Sequence, residues 1–286
     1  MEINNQQNTA QNPLSKHFRQ PAIYFKLPSG GNYWKDGSLS LSATGEVGVM
    51  PMTTKDEITL KTPDALLNGQ GVVSVVQSCC PEIHNAWEMP AMDVDATLIA
   101  IRIASYGNQM DFSARCPHCE QENDYAIDLG NTLGSIQAPD YSKSITVEGL
   151  TINFKPQNYA ELNRGNMIAF EEQQILRSIN EMSDDPMAAK EKFDLHLQKV
   201  IQLNVDLIAS STKSIVTEDG QEVTDPGFIM EFYTNAQNKT IKTIQEQITK
   251  FGQEGGIKPV DVNCNNEECG KEFPITITFD YASFFE

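Results

Sequence analysis

Four cysteines stand in two short groups whose residue types and spacing could bind a metal. They are Cys116-Pro117-His118-Cys119, and Cys264 and Cys269 within Cys264-Asn265-Asn266-Glu267-Glu268-Cys269-Gly270. Thiolate sulfur is a strong zinc ligand, and four thiolates meet the ion tetrahedrally at about 2.3 Å. Each group lies between alternating apolar residues. Met110, Phe112 and Ala114 precede the first, and Tyr125, Ile127 and Leu129 follow it. Val260 and Val262 precede the second, and Phe273, Ile275, Ile277 and Phe279 follow it. Two cysteine turns, each between an incoming and an outgoing strand, are the sequence form of a zinc ribbon. The candidate metal ligands are therefore Cys116, Cys119, Cys264 and Cys269, with zinc as the structural cofactor. Four thiolates leave no coordination position open for water, so the ion would hold structure and not perform catalysis.

The spacing departs from that of a compact ribbon. Positions 120 to 263 put 144 residues between the halves, where roughly 15 to 20 are usual. The ribbon must be split by a long insertion. Cys-Pro-His-Cys is also the form of a thiol-oxidant active site, but such a site needs a helix N-terminus to depress the first thiol's pKa. Here the following residues, Glu120 to Leu129, alternate like a strand and carry carboxylates that would oppose ionisation. Two separate cysteine pairs, reduced or disulfide-bonded, are the plain alternative to a metal site. His118 reads as an exposed turn residue.

Cys79 and Cys80 close an apolar segment before Pro81 and read as small buried hydrophobes. His17, His84 and His196 lack partners at ligand or triad spacing. The paired acids Asp93/Asp95, Glu171/Glu172, Asp184/Asp185 and Glu267/Glu268 read as helix starts or solvated charges. Gly69-Gln70-Gly71 is not followed by the glycine and lysine of a phosphate loop. No enzyme signature emerges, so no catalytic residue, substrate or organic cofactor is assigned.

The elements that must position the cysteines read as an α+β chain. It combines a small N-terminal β region, a mainly helical body and a split zinc-ribbon-like pair of β hairpins. Residues 1–20, rich in Asn and Gln at the start, are expected to form a flexible arm. Residues 21–110 hold strands near Ile23–Leu27 and Gly45–Met50, then helices. One of these starts near Pro63 and resumes after Gly71, and another runs from Asp93 to a stop at Gly107. Residues 111–155 carry the first cysteine turn and a hairpin joined at Glu148-Gly149. Residues 156–255 form a helical body with an Asp-Gly hairpin at 213–224. Its apolar stripes are Ile168, Ile175, Ile179 and Met182; Phe193, Leu197, Val200, Ile201 and Ile208; and Ile229, Tyr233, Ala236, Ile244, Ile248 and Phe251. The last helix starts at Asp225-Pro226 and stops at Gly252. Residues 256–286 supply the second cysteine turn and a C-terminal strand.

Composition bounds the function. The 286 residues carry a net charge of −18, which repels nucleic-acid phosphates. The longest apolar stretch, Ala96 to Ala104, is interrupted by Arg102 and falls well short of the ~20 residues that span a bilayer. The first twenty residues lack the charged and apolar regions of a secretory signal. Charge is uneven: residues 1–55 hold five basic and three acidic side chains, a balance of +2, which leaves −20 on the remainder.

Three segments carry a family resemblance. Leu27-Pro28-Ser29-Gly30-Gly31-Asn32-Tyr33-Trp34 is followed by Met50-Pro51-Met52-Thr53-Thr54-Lys55-Asp56-Glu57 and by Lys61-Thr62-Pro63-Asp64-Ala65-Leu66-Leu67-Asn68-Gly69. Together they resemble the T4-type bacteriophage baseplate hub assembly proteins, specifically over residues 23 to 110 and more loosely beyond. The resemblance implies a baseplate hub component or assembly chaperone of a contractile tail. Such a protein works through contacts with other hub or tail proteins, in the virion's tail baseplate and in the host cytoplasm during assembly. It supplies no catalytic residues, and the zinc expectation rests on this sequence alone. Two other readings remain open. One is a zinc-ribbon adaptor in a nucleic-acid or transcription complex, for which Arg115 and Lys271 alone do not make a basic stripe. The other is a CxxC thiol oxidoreductase.

Overall fold

The computed structural model describes residues 12–62, 69–167, 202–277, 284 and 285, together with the single positions 170, 173, 190 and 199. Residues 1–11 of the expected arm, residues 63–68 of the expected early helix, His196, the acid pairs Glu171/Glu172 and Asp184/Asp185, Phe279, and all of the first two apolar stripes except Ile208 lie outside them.

The first unit builds on β1 (Ile23–Lys26) and β2 (Glu46–Val49), an antiparallel pair. They pack on two apolar helices, α1 (Gln70–Cys79) and α2 (Ala91–Tyr106). The second of these is buried almost all round, because Val94, Ala96, Leu98, Ile99, Ile101 and Ile103 cover its circumference. It begins at Ala91, two residues before the expected start, and ends before Gly107 as expected. The motif turn before it needs its glycines: Gly30 and Gly31 have φ of 62° and 83°, a region L side chains avoid.

This turn is tied to the helix through Asp93, which stands in the helix's first turn as a helix-start acid. Of the two expected readings the solvated one fails, because Asp93 is wholly buried. It accepts hydrogen bonds from the Ser29 N–H (2.9 Å), the Ser29 hydroxyl (2.5 Å) and the Trp34 indole N–H (2.8 Å). Burial raises its pKa to about 6, even though these donors act to lower it.

The chain is anchored from Arg19 onward. One guanidinium nitrogen donates to the Pro51 carbonyl (2.8 Å) and pairs with Asp56 (3.0 Å), while the other donates to the Ser78 carbonyl and hydroxyl (both 2.7 Å). Asp56 also completes the capping box of the helix Thr54–Leu60 with Thr53. Removing the guanidinium takes a donor from four part-buried acceptors at once, although Asp56 keeps those of Thr53. Arg19→Ala is expected to cost about 2–3 kcal/mol, measured as a lower urea midpoint at unchanged m-value.

A second unit is a four-stranded antiparallel sheet whose strands lie side by side in chain order. The expected hairpin at Glu148-Gly149 forms its first half, β5 (Ile145–Val147) and β6 (Leu150–Phe154). The expected Asp-Gly hairpin forms the rest, β7 (Thr212–Val216) and β8 (Glu222–Val223). Ile152, Phe154, Ile208, Ile215, Ile229, Tyr233, Ile244 and Phe251 make its core. Residues 159–167 and 202–210 are helical. The expected single last helix is in fact two, α3 (Pro226–Asn235) and α4 (Asn238–Gly255), with Ala236 extended between them. Asp225 caps the first as expected, accepting from the Gly227 and Phe228 N–H groups. Gly252 does not stop the second, which continues to Gly255. A short helix, Leu129–Ser135, also follows the first cysteine hairpin where only strand alternation was expected. Asp128 caps it by accepting from the Gly130 and Asn131 N–H groups.

Two further hairpins complete the α+β architecture. They are β3 (Gln109–Arg115) with β4 (Glu122–Asp128), and β9 (Val260–Asn263) with β10 (Glu272–Ile275). Beyond β10, Ile277, Phe284 and Phe285 return to the first core, where the Phe284 carbonyl accepts from Arg102 Nε at 3.0 Å. Among the described residues, no helix is long and apolar enough to cross a membrane.

Candidate metal centre

Each cysteine pair sits in the turn of its own hairpin. Register fixes the first, since Arg115 pairs with Glu122 at the mouth of the turn and the Cys116 N–H donates to the Gln121 carbonyl at 2.9 Å. The second repeats the arrangement: Asn263 pairs with Glu272, and the Cys264 N–H donates to the Lys271 carbonyl at 2.9 Å. Both chains reverse through a left-handed residue just after the second cysteine, Glu120 at φ 61° and Gly270 at φ 53°. Glycine occupies that position without strain, whereas a side chain there costs about 1–2 kcal/mol. Glu120→Gly is therefore expected to stabilise the first turn by about 1 kcal/mol less the added unfolded-state entropy. A small rise in Tm with unchanged metal content would show it, and a fall would refute it.

The two turns face each other across the intervening chain. All four sulfurs of Cys116, Cys119, Cys264 and Cys269 lie within 4.8 Å of one another. Cys116 and Cys269 are 3.9 Å apart, and Cys119 and Cys264 are 3.6 Å apart. Four sulfurs at 2.3 Å from a tetrahedral ion sit about 3.8 Å apart. These separations match that edge length and exceed the ~2.05 Å of a disulfide. Cys116 and Cys264 are buried among Phe112, Tyr125, Val262, Phe273 and Ile275, whereas Cys119 faces solvent. His118 is exposed, as expected.

The electrostatics favour a cation at the centre. Burial acts to raise Cys116, but the N–H groups of His118 and Cys119 and the neighbouring thiols bring it to about 7. The Asn266 N–H acts to lower Cys264, yet burial and proton sharing with Cys119, Cys116 and Cys269 push it to about 11. One thiol gives up its proton readily and the next does so against the charge already present. A divalent ion removes that penalty for all four.

Two supporting residues were not visible in the sequence. Asn123 is buried, and its amide donates to the Gln121 carbonyl (3.1 Å) and toward the Cys264 sulfur (3.7 Å). Asn265 donates to the Asp124 carbonyl at 3.3 Å, joining the two hairpins. A polar residue in a strand gives no sign of such a role until its partner hairpin is placed. Cys79 and Cys80 lie far from this group in the first core, both fully buried, and burial pushes the Cys79 thiol up to about 12.

The first cysteine of the first turn follows a strand and not a helix N-terminus, so the activating element of a thiol oxidant is missing at this position. Comparison with known families decides the wider identity: the family described as T4 bacteriophage base plate protein matches residues 20–286. The chain belongs to that family. It is thus a phage baseplate protein, and the match takes in both cysteine hairpins and the chain between them. Neither the curated proteins nor the solved structures give a significant match.

Proposed function

We propose that this chain is a non-enzymatic subunit of the baseplate hub. It acts as a structural component or assembly chaperone through contacts with other hub and tail proteins, and it carries one structural zinc on Cys116, Cys119, Cys264 and Cys269. The observation that carries the metal assignment is the convergence of four sulfurs from two hairpins at tetrahedral spacing. The family match over residues 20–286 carries the baseplate assignment. The zinc would clip β9-β10 onto β3-β4 and so close the long insertion into a loop, fixing the surfaces offered to neighbouring subunits. Its chemical contribution would be charge neutralisation of the thiolates. A charge of −18 favours basic partner faces and opposes self-association before incorporation in the host cytoplasm.

Deletion of the gene, followed by electron microscopy of tails and mass spectrometry of purified particles, tests the role. Loss of baseplates is expected. The protein's presence in virions then marks a structural component, and its absence a chaperone. Normal baseplates in the deletion would overturn the proposal.

A further inference from the structure

A cavity of about 270 Å³ opens where the first and second cores meet. It lies between the start of the helix Ala91–Tyr106, the helical residues 159–167 and the end of the helix Asn238–Gly255. Its walls are aromatic: Tyr159 comes from one core, and Tyr141 and Phe251, with ring centroids 4.8 Å apart, from the other. Asp95 is the one carboxylate among the residues that line it. Unlike Asp93 two residues earlier, Asp95 has no hydrogen-bond or ion-pair partner among the described residues. Burial alone, with no compensating donor, raises its pKa to about 6.

Asp95 is half-buried, and a carboxylate partly withdrawn from water without a partner favours a cationic one. A helical glycine also lines the cavity. Gly252 lies within a helix, where glycine costs roughly 0.5–1 kcal/mol relative to alanine. A side chain added there would meet nothing within 4 Å, so packing does not require the glycine, which is one of the residues lining the cavity.

We propose that this cavity receives an arginine side chain from a neighbouring baseplate subunit, with Asp95 as its ion-pair partner and Tyr141, Tyr159 and Phe251 as the surfaces on which the guanidinium packs. The volume argues for a side chain, since pockets for drug-sized ligands run from about 300 to 1,000 Å³. The charge argues for a cation, and the acidic remainder of the chain, at −20, would draw a basic partner face toward it. The aromatic walls argue for arginine over lysine, because the planar guanidinium stacks on rings, binds a carboxylate with two hydrogen bonds and is weakly hydrated. The origin of the arginine in another subunit rests on the baseplate reading; the cation preference of the cavity does not.

The test uses the full-length protein and two small probes, acetyl-arginine amide and its neutral isostere acetyl-citrulline amide. Their binding would be followed by NMR shifts of the Tyr141, Tyr159 and Phe251 ring protons. The arginine probe is expected to bind at least tenfold tighter than citrulline. Asp95→Asn, which preserves shape, is expected to erase that preference, and Gly252→Leu, which adds bulk to the cavity's lining, to abolish binding of both. Equal affinity for the two probes, no binding of either, or a preference that survives Asp95→Asn would overturn the assignment. Incorporation of the Asp95→Asn protein into baseplates is read separately. A probe preference lost in a variant that still assembles normally would keep the cation site and reject its use between subunits.

Discussion

Protein purified without chelator is expected to contain one zinc per chain, and Cys264→Ser is expected to lose the metal and lower Tm by roughly 10–20 °C. The magnitude follows from the closure that the ion would provide. Structural zinc in small peptides binds with an apparent free energy of about 10–16 kcal/mol, comparable with the ~5–15 kcal/mol net stability of a whole domain. Part of that is offset here by the hydrophobic contacts of Phe273 and Ile275 in the cysteine cluster and by the return of Ile277, Phe284 and Phe285 to the first core. A loss of about 5 kcal/mol, at ~2–4 °C per kcal/mol for a chain of this size, gives the stated range. Because the four sulfurs act as one unit, Cys119→Ser combined with Cys264→Ser should cost little more than either alone. Hydrogen exchange should quicken first in β9 and β10 and least in the four-stranded sheet. Metal analysis with calorimetry before and after chelation checks each point. Zinc-free protein of unchanged Tm would remove the ion from the account.

The second large effect is expected at Asp93. Asp93→Ala leaves the Ser29 N–H, the Ser29 hydroxyl and the Trp34 indole N–H without their acceptor in a fully buried site. At about 1–3 kcal/mol per stranded donor, with some relief from local rearrangement, the cost should be about 3–5 kcal/mol. Denaturant unfolding measures this, and a loss under 1 kcal/mol would mean that the turn at Ser29 does not depend on the helix.

The same residue carries a dependence on pH. Asp93 and Asp95 are both raised to about 6, first by burial, above the ~3.9 of an unfolded chain. The folded protein therefore holds more protons between those values. The stability these two groups contribute is fully present below about pH 4 and is lost as pH rises through 6. Asp95→Asn removes one such group at no loss of a partner. The full shift corresponds to roughly 2–3 kcal/mol, and the solvent that reaches the cavity reduces the expected gain to about 1–2 kcal/mol above pH 7. Near pH 4 the variant and the natural chain should be equally stable. Urea midpoints at pH 4.5, 6 and 7.5 decide it, and a gain of constant size across that range would point to a cause other than ionisation.

Much of the architecture was legible where one local rule governed a segment. Alternation with Asp-Gly or Glu-Gly at the turn placed the hairpins of β5-β6 and β7-β8, and the Asp225-Pro226 cap placed a helix start. The failures came where local signals competed with packing. Gly252 reads as a stop, but the helix Asn238–Gly255 runs through it because the backbone stays hydrogen-bonded to Gly255. Ala236 lies within an apolar stripe, yet the chain breaks there, so that Tyr233 and Ile244 enter the same core from two separate helices.

The sequence alone determined the ligand type, the pairing of each cysteine turn with its own hairpin, the α+β class, the acidic balance and the family resemblance. These follow from residue chemistry and from spacing along the chain. Only the tertiary structure decided that Cys116 and Cys119 meet Cys264 and Cys269 within 4.8 Å, that Asn123 supports the group, and that two neighbouring acids have different fates. Asp93 and Asp95 have the same charge and differ by two positions. A helix turns about 100° per residue, so one carboxylate faces three donors and the other an open cavity, and which donors or spaces surround a helix is set by what the distant chain brings against it.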